Sequence, residues 1–185
     1  YIKFLFSSQN QHGLHSPFVY NLVTNCFYDK KKYPEYTKIR NYKTELLTNQ
    51  TEIEVTDFGA GSRIFKSNNR TVSKIAKVAG ITSKKAKFLF RITQYLQLKN
   101  CLELGTSLGI ASAAIASAEK ARLITVEGCP ETAKIARQHF EKFGLKNIDL
   151  KIGEFQHYLP DFANSAKFVQ TPRNNIYYRR LSLSF

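Results

Sequence analysis

The second half of the chain alternates short apolar runs with longer amphipathic ones. The runs "CLELG", "ARLITVEG" and "NIDLKIGE" predict three strands, and the middle run is apolar on both faces, as buried parallel strands are. Between them, "IASAAIASAEK" and "PETAKIARQHFEKFG" predict two helices. In the second helix, His139 is expected at the surface. This order of elements predicts an α/β fold with a Rossmann-like, doubly wound parallel sheet.

In the first hundred residues, the apolar side chains mostly recur at helical spacing instead. The segment "HSPFVYNLVTNCF" predicts a helix with Ser16 as its N-cap and Pro17 as its first residue. A second helix is predicted from Pro34 to before Asn49, with Ile39, Tyr42 and Leu46 aligned on one face. Two more helices follow in "TVSKIAKVAG" and "SKKAKFLFRITQYLQL".

These last two helices have their own boundary signals. Gly80 is expected to end the first of them, and Ser83 is expected to cap the second. The whole chain then divides into a mainly helical N-terminal extension over 1–98, a Rossmann-like cofactor-binding half over 99–170, and an irregular tail over 171–185.

The C-terminal end departs from the pattern of a complete sheet. A fourth strand is due after "LPDFANSAKFV", but "QTPRNNIYYRRLSLSF" brings in Pro172, two asparagines and two arginines. We therefore expect an incomplete sheet, with 101–104 as an open apolar edge, in a chain that is cut short or altered at this end.

The chain is strongly basic. Among 185 residues, 28 Lys and Arg stand against 14 Asp and Glu, which gives a net charge of +14. Such an excess favours nucleic acid, anionic membranes or anionic small molecules as partners, or it only aids solubility, and both readings remain open.

The number and spacing of the cysteines bear on metal binding and on the redox state of the protein's compartment. Cys26, Cys101 and Cys129 are far apart, and neither a Cys-x-x-Cys pair nor a zinc spacing with His occurs, so no metal site is predicted. A sparse, odd number of cysteines fits a reducing compartment. With no apolar run of about 18 residues and no signal-peptide pattern, the sequence predicts a cytoplasmic protein without a membrane span.

A glycine pair follows the first predicted strand, in "LELGTSLG". Glu103 and Gly105 lie at the strand end, Gly109 opens the next helix, and Glu127 ends the second strand about 20 residues later, which is the arrangement of a nucleotide site. Ser107 breaks the triple-glycine dinucleotide pattern, which favours a nucleoside ligand without phosphates. The alternative is a plain turn between a strand and a helix.

A second glycine pair, "DFGAGSR" at 57–63, competes for the same role. It follows a strand that alternates apolar and polar residues, and no small-residue helix or spaced acid comes after it. We interpret it as a structured loop that has a lesser claim to the ligand.

Three segments, "LELGTSLG", "ITVEGCPE" and "LKIGEF", resemble the cofactor motifs of class I S-adenosylmethionine-dependent methyltransferases. "HGLHSPFVY" and "DFGAGSR…SKIAKVAG" resemble the helical N-terminal extension of a bacterial branch of that family. The resemblance implies an S-adenosylmethionine site in which one group lines the methionine and ribose part of the cofactor: Glu103, Gly105, Thr106, Ser107 and Gly109. It also implies that Glu127 accepts from the ribose hydroxyls and that Gly153 and Glu154 lie near the adenine, where the family usually has Gly-Asp.

The resemblance implies a methyltransferase whose acceptor is a small molecule or an unidentified macromolecule. Family members continue into a fourth strand ending in Asp-Gly and into further strands, which usually supply substrate and catalytic groups. Two alternatives therefore stay open: a basic RNA-binding methyltransferase and a truncated, non-catalytic remnant. No catalytic base is assigned, although His12, His15 and His157 are candidates, and the oligomeric state is open.

Overall fold

The computed structural model describes residues 16–56, 67–164 and 177–179. The chain divides into two compact units between Lys32 and Tyr33. In the first unit, helix α1 spans Pro17–Leu22, and its N-cap Ser16 accepts a hydrogen bond from the Val19 N–H at 3.4 Å. Both the cap and the proline position agree with the sequence prediction. A π-helical turn, Val23–Phe27, follows α1 directly.

The second unit holds the remaining elements. They are, in chain order, α2 (Glu35–Thr48), β1 (Glu52–Glu54), β2 (Asn69–Thr71), α3 (Val72–Val78), α4 (Ser83–Tyr95), β3 (Asn100–Leu104), α5 (Ile110–Ala116), β4 (Arg122–Glu127), α6 (Pro130–Lys142), β5 (Ile148–Ile152), α7 (Phe155–Asn164) and β6 (Tyr177–Arg179).

The main sheet is parallel and has the strand order β5-β4-β3-β6. Helices α5 and α6 form the crossovers between β3, β4 and β5, so the predicted α/β class and the Rossmann-like parallel arrangement are confirmed. Strands β1 and β2 form a separate antiparallel pair, in which Ile53 lies opposite Arg70. Because all strands of the main sheet are parallel, their carboxyl ends meet at one edge.

Strand β6 differs from the expectation of an irregular tail over 171–185. Tyr177–Arg179 pairs with Leu102–Leu104 of β3, so the expectation of an unpaired edge is wrong for these three residues of β3. The reason lies in the local sequence: Tyr177 and Tyr178 are β-favouring residues, and Pro172 precedes the strand in sequence by five residues.

Helices of the N-terminal region pack into the same cores as the sheet. Ile39, Tyr42 and Leu46 are buried on one face of α2, as the sequence predicts. Tyr42 and Leu46 belong to a core with α5 and α6, and Ile39 belongs to a second core with α4 and β3. The boundary at 98/99 therefore separates two sequence patterns within one compact unit.

Two local expectations need correction. The N-cap of α4 is Thr82, whose side chain accepts from the Lys85 N–H at 3.3 Å, and Ser83 becomes the first helical residue. His139 is buried, with 6% of its surface exposed, because α2 covers that face of α6. The edge of its ring meets Tyr42, and its Nδ1–H donates to the Ile135 carbonyl at 2.9 Å.

Within the described ranges, no helix combines the length and the apolar character that a bilayer crossing requires.

Candidate functional site

The eight predicted site residues lie at or just beyond the carboxyl ends of three adjacent strands. Five belong to the end of β3 and the turn after it, one ends β4, and two follow β5: Glu103, Gly105, Thr106, Ser107, Gly109, Glu127, Gly153 and Glu154. Ligands of open α/β sheets bind in the crevice at this edge.

The β3–α5 turn, residues 105–109, has an unusual backbone. Gly105, Ser107 and Gly109 have φ angles of 92°, 51° and 76°, so a residue with a side chain occupies the left-handed region between two glycines. The sheet holds the start of this turn, because the N–H groups of Gly105 and Thr106 both donate to the Val126 carbonyl, at 2.8 and 3.2 Å. The start of the turn therefore lies beside the end of β4.

Gly109 is required by its packing as well as by its φ angle. A Cβ at this position would lie 2.5 Å from Cε1 of Phe140 and 2.7 Å from the hydroxyl oxygen of Tyr42. The second glycine of "LELGTSLG" thus permits close contact between the start of α5, helix α2 and helix α6. Its described role is structural.

Glu127 is bonded to the β3–α5 turn. Its Oε2 accepts from the Ser107 N–H at 2.7 Å, and its Oε1 accepts from the Cys129 N–H at 3.1 Å. Each carboxylate oxygen keeps a further lone pair. The half-buried carboxylate is fixed in orientation and can accept hydroxyl groups from a ligand.

Glu103 is buried inside a chain of hydroxyl groups. Its Oε2 accepts from Ser112 at 2.5 Å and from Thr125 at 2.8 Å. Because the single hydroxyl proton of Thr125 is used on Glu103, the Thr106 hydroxyl donates to Thr125, at 2.6 Å. This chain connects the carboxyl group to the β3–α5 turn.

Burial raises the pKa of Glu103 to about 7, and the charge of Glu127 adds to the rise, while the Ser112 and Thr125 hydrogen bonds oppose it. Desolvation disfavours the carboxylate more than the two hydroxyl groups favour it. The group therefore titrates near neutral pH.

The adenine-side pair occupies a more open position. The Gly153 N–H donates to the Glu127 carbonyl at 2.9 Å, and Gly153 has a φ angle of 147°. Glu154 is exposed, and its carboxylate accepts from the Gln156 side chain at 2.7 Å. Gly153 is thus joined directly to Glu127, whereas the described contacts of Glu154 are local.

A cleft of about 70 Å³ lies beside Glu103 and the β3–α5 turn. Its other wall comes from the end of α3 and the residues after it: Ala76, Ala79, Gly80 and Ile81. Sequence reasoning assigned Gly80 only as a helix stop. This cleft is smaller than the pockets that enclose whole ligands of cofactor size, so it can take only one portion of such a molecule.

The candidate bases and the competing glycine pair add no described side-chain contact to the site. His157 is exposed in the first turn of α7. His12, His15 and the "DFGAGSR" segment lie outside the described residues. In the part of the chain that the structure describes, no three His, Cys, Asp or Glu side chains gather where a metal ion could bind.

Sequence reasoning missed three polar residues around the site. Ser112 and Thr125 hold Glu103, and the Tyr42 hydroxyl donates to the Leu108 carbonyl at 2.9 Å. A signal existed for Ser112 and Thr125, since each is a hydroxyl residue within an otherwise apolar run, "IASAAIA" or "LITV". No signal links Tyr42 to a turn 66 residues away.

Known proteins resemble this chain at the level of sequence. A family model described as O-methyltransferase matches residues 62–177. A catechol O-methyltransferase of Niastella koreensis is 34% identical over 86 residues, which are 45% of this chain and 39% of that protein. The chain therefore spans well under two thirds of this relative's length.

Solved structures resemble it in fold. The SAH-bound methyltransferase PaMTH1 of Podospora anserina aligns over 84% of this chain and 56% of its own, with a TM-score of 0.53 and 15% identity. The O-methyltransferase from Bacillus cereus in complex with SAH covers 80% of this chain and 55% of its own, with a TM-score of 0.45 and 18% identity. At such identities the likeness to PaMTH1 concerns the fold alone.

The resemblance to class I methyltransferases is confirmed by the family model and by the curated relative. The matched segment, 62–177, contains all eight predicted site residues and exceeds half of the chain. The chain belongs to the O-methyltransferase family.

Proposed function

We propose that this chain binds S-adenosylmethionine at the carboxyl edge of its sheet and serves an O-methyl transfer to a small hydroxyl-bearing molecule. The observation that carries the proposal is the 2.7 Å hydrogen bond from the Ser107 N–H to Glu127. It joins the glycine turn after β3 to the acid that ends β4, which are the two parts that a ribose site needs.

The residues present fit this cofactor. Glu127 has its two oxygens fixed by backbone N–H groups, and their remaining lone pairs suit two neighbouring ribose hydroxyls. Glu103 lines the cleft and can carry a negative charge toward a cationic ligand. Ala76 and Ala79 offer small apolar walls.

S-adenosylmethionine supplies a sulfonium methyl group, which an acceptor oxygen takes in line while the carbon–sulfur bond breaks. The task of this chain is to orient and enclose. The β3–α5 turn and Glu127 fix the ligand's position, which lowers the entropic part of the barrier. The base that takes the acceptor proton is not assigned to any described residue.

The acceptor class is part of the proposal. The relative from Niastella koreensis is named a catechol O-methyltransferase, which supports an aromatic diol as the first acceptor to test. Transfer of a labelled methyl group from S-adenosylmethionine to added catechol would support this class. An RNA acceptor instead predicts RNA binding whose affinity falls steeply with salt.

A cytoplasmic location is also proposed. It is supported by the sparse, odd number of cysteines, three in all and each of them buried, as expected in a reducing compartment.

Calorimetry with S-adenosylmethionine and with S-adenosylhomocysteine tests the site. We expect Glu127→Ala to weaken binding roughly 100-fold, because two charge-assisted hydrogen bonds are worth about 1.5–3 kcal/mol each and water replaces part of them. Glu119→Ala, which removes an exposed carboxylate, is the control and should bind as the wild type does. Asp57→Ala tests the competing glycine pair.

Two results would contradict the proposal. The first is an absence of binding heat for the folded wild-type chain at millimolar cofactor. The second is a larger loss for Asp57→Ala than for Glu127→Ala, which would move the ligand to the other glycine segment.

A further inference from the structure

We infer that Tyr42, a residue of the N-terminal helix α2, positions the cofactor turn by holding the Leu108 carbonyl. This inference rests on the proposed function, and it adds a residue that lies outside the motifs of the cofactor site. Tyr42 acts through the backbone of residues 105–109 and touches none of the reacting atoms.

The contact is buried and specific. Tyr42 is 1% exposed, and its hydroxyl donates to the Leu108 carbonyl oxygen at 2.9 Å. The ring is held by neighbours on α6 and just after it: Phe140 at 6.2 Å between centroids, Phe143 at 5.1 Å and His139 at 5.5 Å. Burial raises the pKa of Tyr42 well above its ordinary value, so the hydroxyl keeps the proton that it donates.

The acceptor needs this donor. Gly109 is the N-cap of α5, and its own carbonyl accepts from the Ala113 N–H at 2.8 Å as the first bond of the helix. The Leu108 carbonyl therefore lies one residue before the helical ladder, in a residue that is 2% exposed. A buried carbonyl without a donor is strongly unfavourable.

The β3–α5 turn is strained, and it therefore needs the support of helix α2 as well as that of the sheet. Ser107 adopts a φ of 51°, a strained region for a residue with a side chain. Val126 and Glu127 hold the turn from the sheet, and Tyr42 holds it from helix α2. Loss of the Tyr42 hydroxyl frees the Leu108 peptide, and relaxation at Ser107 then misdirects the Glu127 carboxylate.

The test compares two deletions of a buried hydroxyl. Tyr42→Phe removes the donor to Leu108 and keeps the ring. Thr93→Val is the matched control, because Thr93 is 3% exposed and donates to the Leu89 carbonyl at 2.7 Å within α4, outside the cofactor cleft. Unfolding in urea, calorimetry with S-adenosylhomocysteine and amide hydrogen exchange are measured for both variants and the wild type.

We expect both variants to lose stability but only Tyr42→Phe to weaken S-adenosylhomocysteine binding, by about 10-fold. In the ligand-free protein, Tyr42→Phe should also speed exchange of the Ser107 and Gly109 amides more than that of the β4 amides. General destabilisation would instead speed all of these amides alike.

Wild-type affinity in Tyr42→Phe, or an equal loss in Thr93→Val, would overturn the inference. If the wild type itself binds no S-adenosylhomocysteine, the proposed function fails, while the exchange comparison still decides whether Tyr42 holds the turn. Should Tyr42→Phe not fold, the hydroxyl proton of Tyr42 in the wild type is followed by NMR. Its protection from exchange should rise when S-adenosylhomocysteine binds, and unchanged protection would reject the positioning role.

Discussion

The buried Glu103 makes stability depend on pH in a direction opposite to that of most carboxylates. Its pKa in the folded protein is about 7, against an ordinary value of 4.5. Between these values the unfolded chain releases the proton while the folded chain keeps it. Raising the pH through this window therefore favours unfolding, and the loss is complete above about pH 7.

The size of the effect follows from the two pKa values. The difference between about 7 and 4.5 corresponds to about 3 kcal/mol. Glu103→Gln removes the ionisation and keeps an oxygen that can accept from Ser112 and Thr125. We therefore expect the unfolding free energy of the variant, relative to that of the wild type, to rise by about 3 kcal/mol between pH 4.5 and pH 8. This change does not depend on the stability of the variant at pH 4.5.

Urea unfolding of both proteins at several pH values between 4.5 and 8 measures this change. Contributions from the other titrating groups cancel when wild type and variant are compared at each pH. Glu119→Gln, at an exposed position, is the control for replacing a glutamate by a glutamine. A constant difference between Glu103→Gln and wild type over this range would refute the reasoning.

Two further predictions concern packing and burial. Gly109→Ala should lower the free energy of unfolding by about 2–4 kcal/mol, because the new Cβ meets Phe140 and Tyr42 and the φ angle is positive. Gly144→Ala, with a φ of 62° and no atom within 4 Å of the new Cβ, should lower it by only about 1–2 kcal/mol, and equal losses in chemical unfolding would contradict the steric argument. Cys26, Cys101 and Cys129 are all buried, and burial raises the pKa of the Cys101 thiol to about 11. A thiol reagent at pH 8 should therefore modify none of the three before denaturant is added, and rapid labelling of Cys101 in the native protein would contradict its described burial.

Patterns of local spacing predicted most of the fold. The strands β3, β4 and β5 and the helices between them follow from apolar runs of different period. The N-cap Ser16 and the first helical residue Pro17 follow from backbone chemistry within four residues. The predicted N-cap of α4 was wrong by one residue, because Thr82 and Ser83 both carry a suitable hydroxyl. The sequence does not say which of the two hydroxyls faces the free N–H groups of the helix.

The errors arose where distant segments meet. His139 was expected in water because a polar residue on an amphipathic helix usually faces solvent, and only the packing of α2 on α6 buries it. The site residues were found from their strand-end positions, but the hydroxyl chain around Glu103 depends on β3, β4 and α5 coming together. Their roles toward the cofactor stay predictions.

The packing of α2 on α6 bears on how the chain is made. Glu45 on α2 bonds Lys142 on α6 across 97 residues, and Tyr42 and Leu46 share a core with Phe140 and Leu145. At about 5–20 residues per second, a ribosome needs roughly 5–20 s to synthesise the segment between these partners. During that interval the apolar face of α2 has no α6 to cover it, so the nascent chain offers a binding site to a chaperone. Slowing translation after α2 would lengthen this exposure, whereas slowing it after α6 would not.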